Sequence, residues 1–237
     1  MHCSRRVTLA AKLSILAAIL CASGAANGQE RQQDYPPQFP RPNATEILSN
    51  GRVNVWDAYW LKNQPTPMHR HVFDVISITI QGGQIRATTA DGKVGQGESH
   101  VGQATFSRKG LTHSEEGLSD IPQRKIFLEL KSMGTPVPAD AHSEFPPNGT
   151  KKLLDNDRLI AWDYTWASGE KVQVDARFYD TVTVFLTGGT IRAHDTKGET
   201  KVMERKPGDV VYASHGSPTH SEQTVSGSPR AIIVQLK

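Results

Sequence analysis

The chain is nearly without cysteine. Among its 237 residues Cys3 and Cys21 are the two thiols. Both fall in a start that reads as a secretory leader: Arg5 and Arg6, an apolar run from about Leu13 to Ala22, then small residues up to Gly28. Removal of residues 1–28 would leave a chain with no thiol for a disulfide, a catalytic thiolate or a cysteine-type zinc site. Long hydrophobic runs are just as scarce. The leader's run is shorter than the ~20 residues that cross a bilayer, so the mature protein is expected to have no integral membrane segment. It should begin between Ala26 and Gln29 and reside in the periplasm or outside the cell. Excess charge is missing too. The leader holds three of the 27 Lys and Arg and none of the 24 Asp and Glu, leaving a net charge of zero. A nucleic-acid binder would carry a basic surplus, so nucleic acid is not expected as a partner. Walker loops, dinucleotide-binding glycine fingerprints and nucleophile elbows are absent, and no helical periodicity exceeds about three turns.

What the chain does have is one sequence written twice. Phe39 to Lys131 and Phe145 to Lys237 align at an offset of 106 positions. The shift superimposes Asn50 on Asn156, Arg52 on Arg158, Trp56-Asp57 on Trp162-Asp163, Trp60 on Trp166, Asp74 on Asp180, and Gly82-Gly83 on Gly188-Gly189. One inserted residue later, His113-Ser114-Glu115 meets His220-Ser221-Glu222. The exception is Met68-His69-Arg70-His71, opposite Val174-Asp175-Ala176-Arg177. These matches define a first domain with an extended Gln- and Pro-rich arm (29–131), a linker (132–144) and a second domain (145–237). Within each, apolar residues alternate with period two in short runs such as Val75 to Ile80 and Thr181 to Leu186. Gly-Gly, Asp-Gly and Pro-Gly-Asp turns separate them. The expected class is all-β, a barrel or sandwich in each half.

Pro67-Met68-His69-Arg70-His71, followed by an apolar strand and Gly82-Gly83, resembles the first cupin motif. Gly102 through Phe106, Gly110 and His113 resemble the second, and Pro207-Gly208-Asp209, Tyr212, Gly216 and His220 fit the second more closely. The resemblance covers essentially the whole mature chain and implies a tandem bicupin of two jelly-roll-like barrels. Cupins host dioxygenases, isomerases, decarboxylases, lyases and plain binding proteins, so it says little about the reaction. Two departures stand out. The first-motif Glu is missing, with Val75 and Ile76 at its place and Asp74 about one residue early, and Gly117 stands where Asn is common.

His69 and His71 are two apart on a strand and project to one face. With His113 from a neighbouring strand they would form a facial set of three imidazoles with open positions, as catalytic metal sites do. The alternative is three polar core residues hydrogen-bonded to one another. The metal expected is one divalent transition ion per chain, Fe foremost, with Mn, Ni or Zn as the others. Asp74 could replace the missing carboxylate. Asp180 persists in the half that lacks His-x-His, however, which argues that both serve structure, for example by capping the turn before the strand. The same test applies to Glu115, a candidate general base or ligand-orienting acceptor, because Glu222 repeats it. His220 is expected to pair with Asp175, near Arg177, in a degenerate second site. Arg86 and Arg192 could meet an anionic substrate or be solvated strand charges, and the four paired Trp belong to the core or to the surface between halves. His100, His142, His194 and His215 have no partner at ligand spacing. The partner expected is a small oxygen-rich or anionic molecule, with room left for a homodimer. An enzyme of oxidoreductase, isomerase or lyase type and a non-catalytic sensor or binding cupin both fit.

Overall fold

A computed structural model describes residues 34–131, 150–169, 171–176 and 178–237. The expected leader, the expected linker and His142 lie outside them. Among the described residues every regular element is a strand, and no helix is long and apolar enough to cross a membrane.

The first half contains nine strands: β1 Ala44–Ser49, β2 Val53–Trp60, β3 His69–Arg70, β4 Asp74–Gln81, β5 Gly83–Thr89, β6 Val94–Ser99, β7 Ala104–Ser107, β8 Thr112–Gly117 and β9 Gln123–Leu130. They form two sheets, ordered β1-β2-β9-β4-β7 and β3-β8-β5-β6. The second half contains seven: β10 Thr150–Asp155, β11 Leu159–Thr165, β12 Lys171–Ala176, β13 Asp180–His194, β14 Thr200–Arg205, β15 Val210–Ala213 and β16 Ser217–Leu236. Here β13 and β16 run unbroken through what the first half divides into β4 and β5, and into β8 and β9. The pairings are otherwise alike. Ala44 opposes Ala58, with a register shift between Glu46 and Leu48; Thr150 opposes Tyr164, with the shift between Lys152 and Leu154. The shift between Thr79 and Gln81 on β4 likewise has a partner between Phe185 and Thr187 on β13.

Strict alternation buries both faces of the central strands, and this sets where the site lies. On one face Val53, Val55, Ile76, Ile78, Ile126 and Leu128 pack directly against Leu159, Ala161, Val182, Val184, Ile232 and Val234 of the other half. Burying one such side chain is worth roughly 1.5–3 kcal/mol, so this aliphatic seam is the main core. The opposite faces line the interior of each half. Phe39, Trp56, Trp60, Val75 and Phe127 cluster in the first; Tyr164, Trp166, Phe185, Ile191 and Ile233 cluster in the second. Trp56, Trp60 and Trp166 therefore sit inside their own halves, not on the surface between them, and Trp162 is partly exposed, its Nε1 donating to Gln235 at 2.8 Å.

Reciprocal ion pairs pin the edges of the seam. Arg52 Nε donates to Asp180 at 2.7 Å, and Arg158 donates to Asp74 at 2.8 Å. Each carboxylate also accepts a backbone N–H at 2.9 Å, from Lys109 for Asp74 and from His215 for Asp180. The capping expected of these aspartates is thus real, but its target is the turn that follows the neighbouring strand. The other half supplies their countercharge. The arm packs against the body from its first described residues: Arg70 N–H donates to Pro36 O at 2.8 Å, and Phe39 stacks on Trp56 at 4.9 Å.

Candidate metal centre

Pairing of β3 with β8 sets His69 directly opposite His113, and His71 follows two residues after His69, so the three imidazoles meet inside the first half. They are 2%, 4% and 9% exposed for His69, His71 and His113. Their nearest nitrogens all lie within 4.8 Å of one another, and among the described residues they form the one such group of three potential metal ligands. His71 Nε2 and His113 Nε2 are 3.0 Å apart. The His69 and His71 rings are near parallel at 5.7 Å, and the His113 ring stands edge-on to both.

The donor state of the set can be read from its bonds. His69 Nδ1 lies 2.9 Å from Pro67 O, which can only accept, so the proton sits on Nδ1. The lone pair is then on Nε2, which is buried with no hydrogen-bond partner; His71 Nδ1 is buried without one as well. A buried polar atom left unpaired costs about 1–3 kcal/mol. Burial first, then the neighbouring His113 and His69, push the His71 imidazole down to about 4; burial also lowers His69. Both are neutral near pH 7, the form that binds a cation. Two nitrogens about 2.1 Å from one ion and about 90° apart lie about 3.0 Å from each other, so the trio fits a transition metal.

Asp74 takes no part in this group, being committed to Lys109 and Arg158. Val75, at the place of the missing Glu, packs with the interior aromatics and makes that wall of the site apolar. Glu115 does reach the site. Its Oε2 accepts from Trp60 Nε1 at 3.2 Å, and its charge is felt by His69 and His71. Glu222 accepts from Trp166 Nε1 at 2.9 Å in the same way, so the Trp–Glu bond is common to both halves. Gly117 is fixed by backbone proximity: a Cβ there would lie 2.6 Å from Trp60 O and 2.9 Å from Leu61 O, which leaves no room for Asn.

Three residues at the site escaped the sequence reading. Arg41, from the arm, lies over the Trp60 ring at 4.7 Å. Its Nε and one terminal nitrogen are buried and unpaired, and burial holds its pKa down while Glu115 opposes. Lys125 lies 5.7 Å from the same ring and is likewise lowered by burial and raised by Glu115. Gln38 is 1% exposed, with both amide atoms unpaired. An isolated parallel bridge sets Pro37 beside Arg70, which brings Gln38 next to the strand that carries His69. Lys125 stands opposite Ala231 in the repeat, a difference that could have marked it; Gln38 and Arg41 lie in an arm without strand period.

The remaining candidates lie elsewhere. Arg86 is a surface charge paired with Glu116 at 2.9 Å, and Arg192 faces Val202 and Gln223 across strand pairings. His220 Nε2 lies 3.3 Å from Glu222; its expected pairing with Asp175, near Arg177, falls on side chains outside the described residues. His100 is exposed, His194 meets Thr200 at 3.0 Å, and His215 meets Asp180.

No family model matches the chain, and no curated protein does. Solved structures do. A cupin 2 conserved barrel domain protein from Leptotrichia buccalis aligns at 12% identity over 82% of this chain and 88% of its own, with a TM-score of 0.53. A variant of salicylate 1,2-dioxygenase from Pseudoaminobacter salicylatoxidans aligns at 11% identity over 78% and 71%, with a TM-score of 0.56. Oxalate decarboxylase from Bacillus subtilis, which contains Mn(II) centres, aligns at 11% over 79% and 69%, with a TM-score of 0.54. The fold is that of the cupin proteins.

Proposed function

We propose that this chain is an exported tandem cupin, two barrels from one duplication, that holds one divalent transition metal on His69, His71 and His113 and acts there on a small anionic, oxygen-rich molecule. The observation that carries the reading is the orphaned Nε2 of His69: buried, deprotonated by its Pro67 bond and aimed at two further imidazoles. Fe(II) is the first choice of metal, with Mn, Ni or Zn as the others; the similar oxalate decarboxylase contains Mn(II), and its name and that of salicylate 1,2-dioxygenase point to small carboxylates. A bound metal would supply Lewis acidity or dioxygen chemistry through positions that three neutral ligands leave open.

The protein's own groups define the rest. Three neutral imidazoles leave the cation's charge uncancelled, which favours an anion beside it. Arg41 has unused donors for that anion, Lys125 adds a second cation, and the Gln38 amide can both donate and accept. Glu115 Oε2 is held by Trp60, while Oε1 makes no hydrogen bond among the described residues and is free to take a proton. The apolar wall of Val75 and Phe127 excludes water behind the site.

The test is turnover by Fe(II)-loaded protein against a panel of small hydroxy- and oxo-carboxylates, followed as oxygen uptake and product formation. Activity on at least one member, lost in His71→Ala and reduced in Arg41→Met chiefly through KM, is the expected result. No turnover of any member by protein shown to carry the metal would leave the chain a ligand-binding cupin.

A further inference from the structure

The second half lacks the two histidines. It encloses a cavity of about 80 Å³ that reaches from Trp166 and Ile233 to Arg205, His220 and Glu222. Three differences from the first half bear on what the cavity could hold. Ile233 stands where the first half has the larger Phe127, Thr181 where it has Val75, and Arg205 where it has Ser99. Ile233 makes room beside Trp166 and Arg205 brings a cation to the wall, while Phe185, Val211 and Ala213, at the places of Thr79, Thr105 and Ser107, make the rest of the lining more apolar.

Arg205 is the unexplained group. Its Nε is buried without a partner, one terminal nitrogen donates to the weak acceptor Met203 Sδ at 3.1 Å, and the guanidinium lies 5.1 Å from the Phe185 ring. Among the described residues no carboxylate reaches it. Glu222, in the same cavity, is already engaged by Trp166 Nε1 at 2.9 Å and His220 at 3.3 Å. A partly buried cation with unused, fork-shaped donors is matched best by a planar carboxylate.

We propose that this cavity is a second binding site, independent of the metal, for a short aliphatic carboxylate. The carboxylate would take the free donors of Arg205, and the chain would lie against Phe185, Val211 and Ile233. The Thr181 and Thr183 hydroxyls and the protonatable His220 offer further bonds to a polar substituent. Size limits the body of the ligand: an engineered cavity of about 150 Å³ takes benzene, so this smaller one suits a chain of roughly two to four carbons.

The test is ligand-observed NMR titration of the full-length mature chain with 2-methylpropanoate and with its neutral amide. The acid should bind saturably and the amide should not. His71→Ala should bind the acid as well as the native chain, and Arg205→Gln should weaken it at least tenfold while metal content stays unchanged. If Arg205→Gln does not fold, Ile233→Phe, which restores the bulk of Phe127, should close the cavity and abolish binding. Equal binding of acid and amide, affinity retained in Arg205→Gln or in a folded Ile233→Phe, or no saturable binding would overturn the proposal. Loss of metal in His71→Ala with carboxylate binding intact keeps this site and the metal centre as separate findings.

Discussion

Replacing Asp74 by Asn should cost stability and leave metal alone, and the same change at Asp180 should behave alike. Asp74 is 5% exposed and Asp180 6%. Each accepts one backbone N–H and one guanidinium from the opposite half, at 2.9 and 2.8 Å for Asp74 and at 2.9 and 2.7 Å for Asp180. Asparagine keeps one accepting oxygen but turns an NH2 toward a donor and removes the charge. A hydrogen bond to a charged group contributes about 1.5–3 kcal/mol. The arginine left behind keeps a carbonyl partner, Leu130 O for Arg158 and Lys237 O for Arg52, so the full cost of stranding a buried charge, about 3–5 kcal/mol, is not reached. The expected loss is about 2–3 kcal/mol for either variant. For a chain of this size that lowers Tm by roughly 4–12 °C. Calorimetry and metal analysis on the same samples decide the matter. If Asp74→Asn strips the metal while Asp180→Asn is harmless, Asp74 is a ligand and the three-histidine assignment is wrong.

Glu129 is 3% exposed and accepts from Trp56 Nε1 at 3.0 Å and Asn54 at 3.1 Å, and burial raises its carboxyl above the ordinary range. The second half has Gln235 at the same place, accepting from Trp162 at 2.8 Å. A carboxyl raised by folding favours the fold below its unfolded pKa and loses that contribution as pH rises through the folded value. Glu129→Gln should therefore stabilise by about 0.5–1.5 kcal/mol at pH 7, with the gain vanishing in acid; denaturant melts at pH 7 and 4 check this, and no gain at pH 7 contradicts it. Gly117→Ala should cost about 1–3 kcal/mol, because the new Cβ meets backbone that cannot step aside; an unchanged Tm would refute the packing. For His71 the folded value, about 4, lies below the unfolded one near 6.5. In metal-free protein its contribution is complete above about pH 6.5 and is lost as pH falls toward 4. Metal-free His71→Ala should show a shallower loss of stability over that window, and an identical pH profile would count against a buried neutral imidazole.

The all-β class and the histidine trio were legible in the sequence because both rest on local alternation: period two marks the strands and sets His69 and His71 on one face. Comparing the two halves also argued for a structural role of Asp74, which lies outside the histidine group and bonds to Lys109 and Arg158. What the sequence could not disclose lies in contacts between distant residues. Arg52 meets Asp180 across 128 positions and Arg158 meets Asp74 across 84, so the partners of these aspartates were misplaced. Gln38 and Arg41 belong to an arm that is placed by an isolated bridge and an aromatic stack. Lys125 and Arg205 were visible as differences from Ala231 and Ser99. Their burial is what gives those differences meaning, and burial is a property of the fold.

The central claim is a single metal on three histidines of the first half. Elemental analysis of protein purified from its native compartment, run beside His69→Ala, His71→Ala, His113→Ala and His220→Ala, tests it most directly. The account predicts about one transition-metal ion per chain, lost in each of the first three variants and retained in His220→Ala. Two equivalents per chain, or metal retained in His71→Ala, would contradict it.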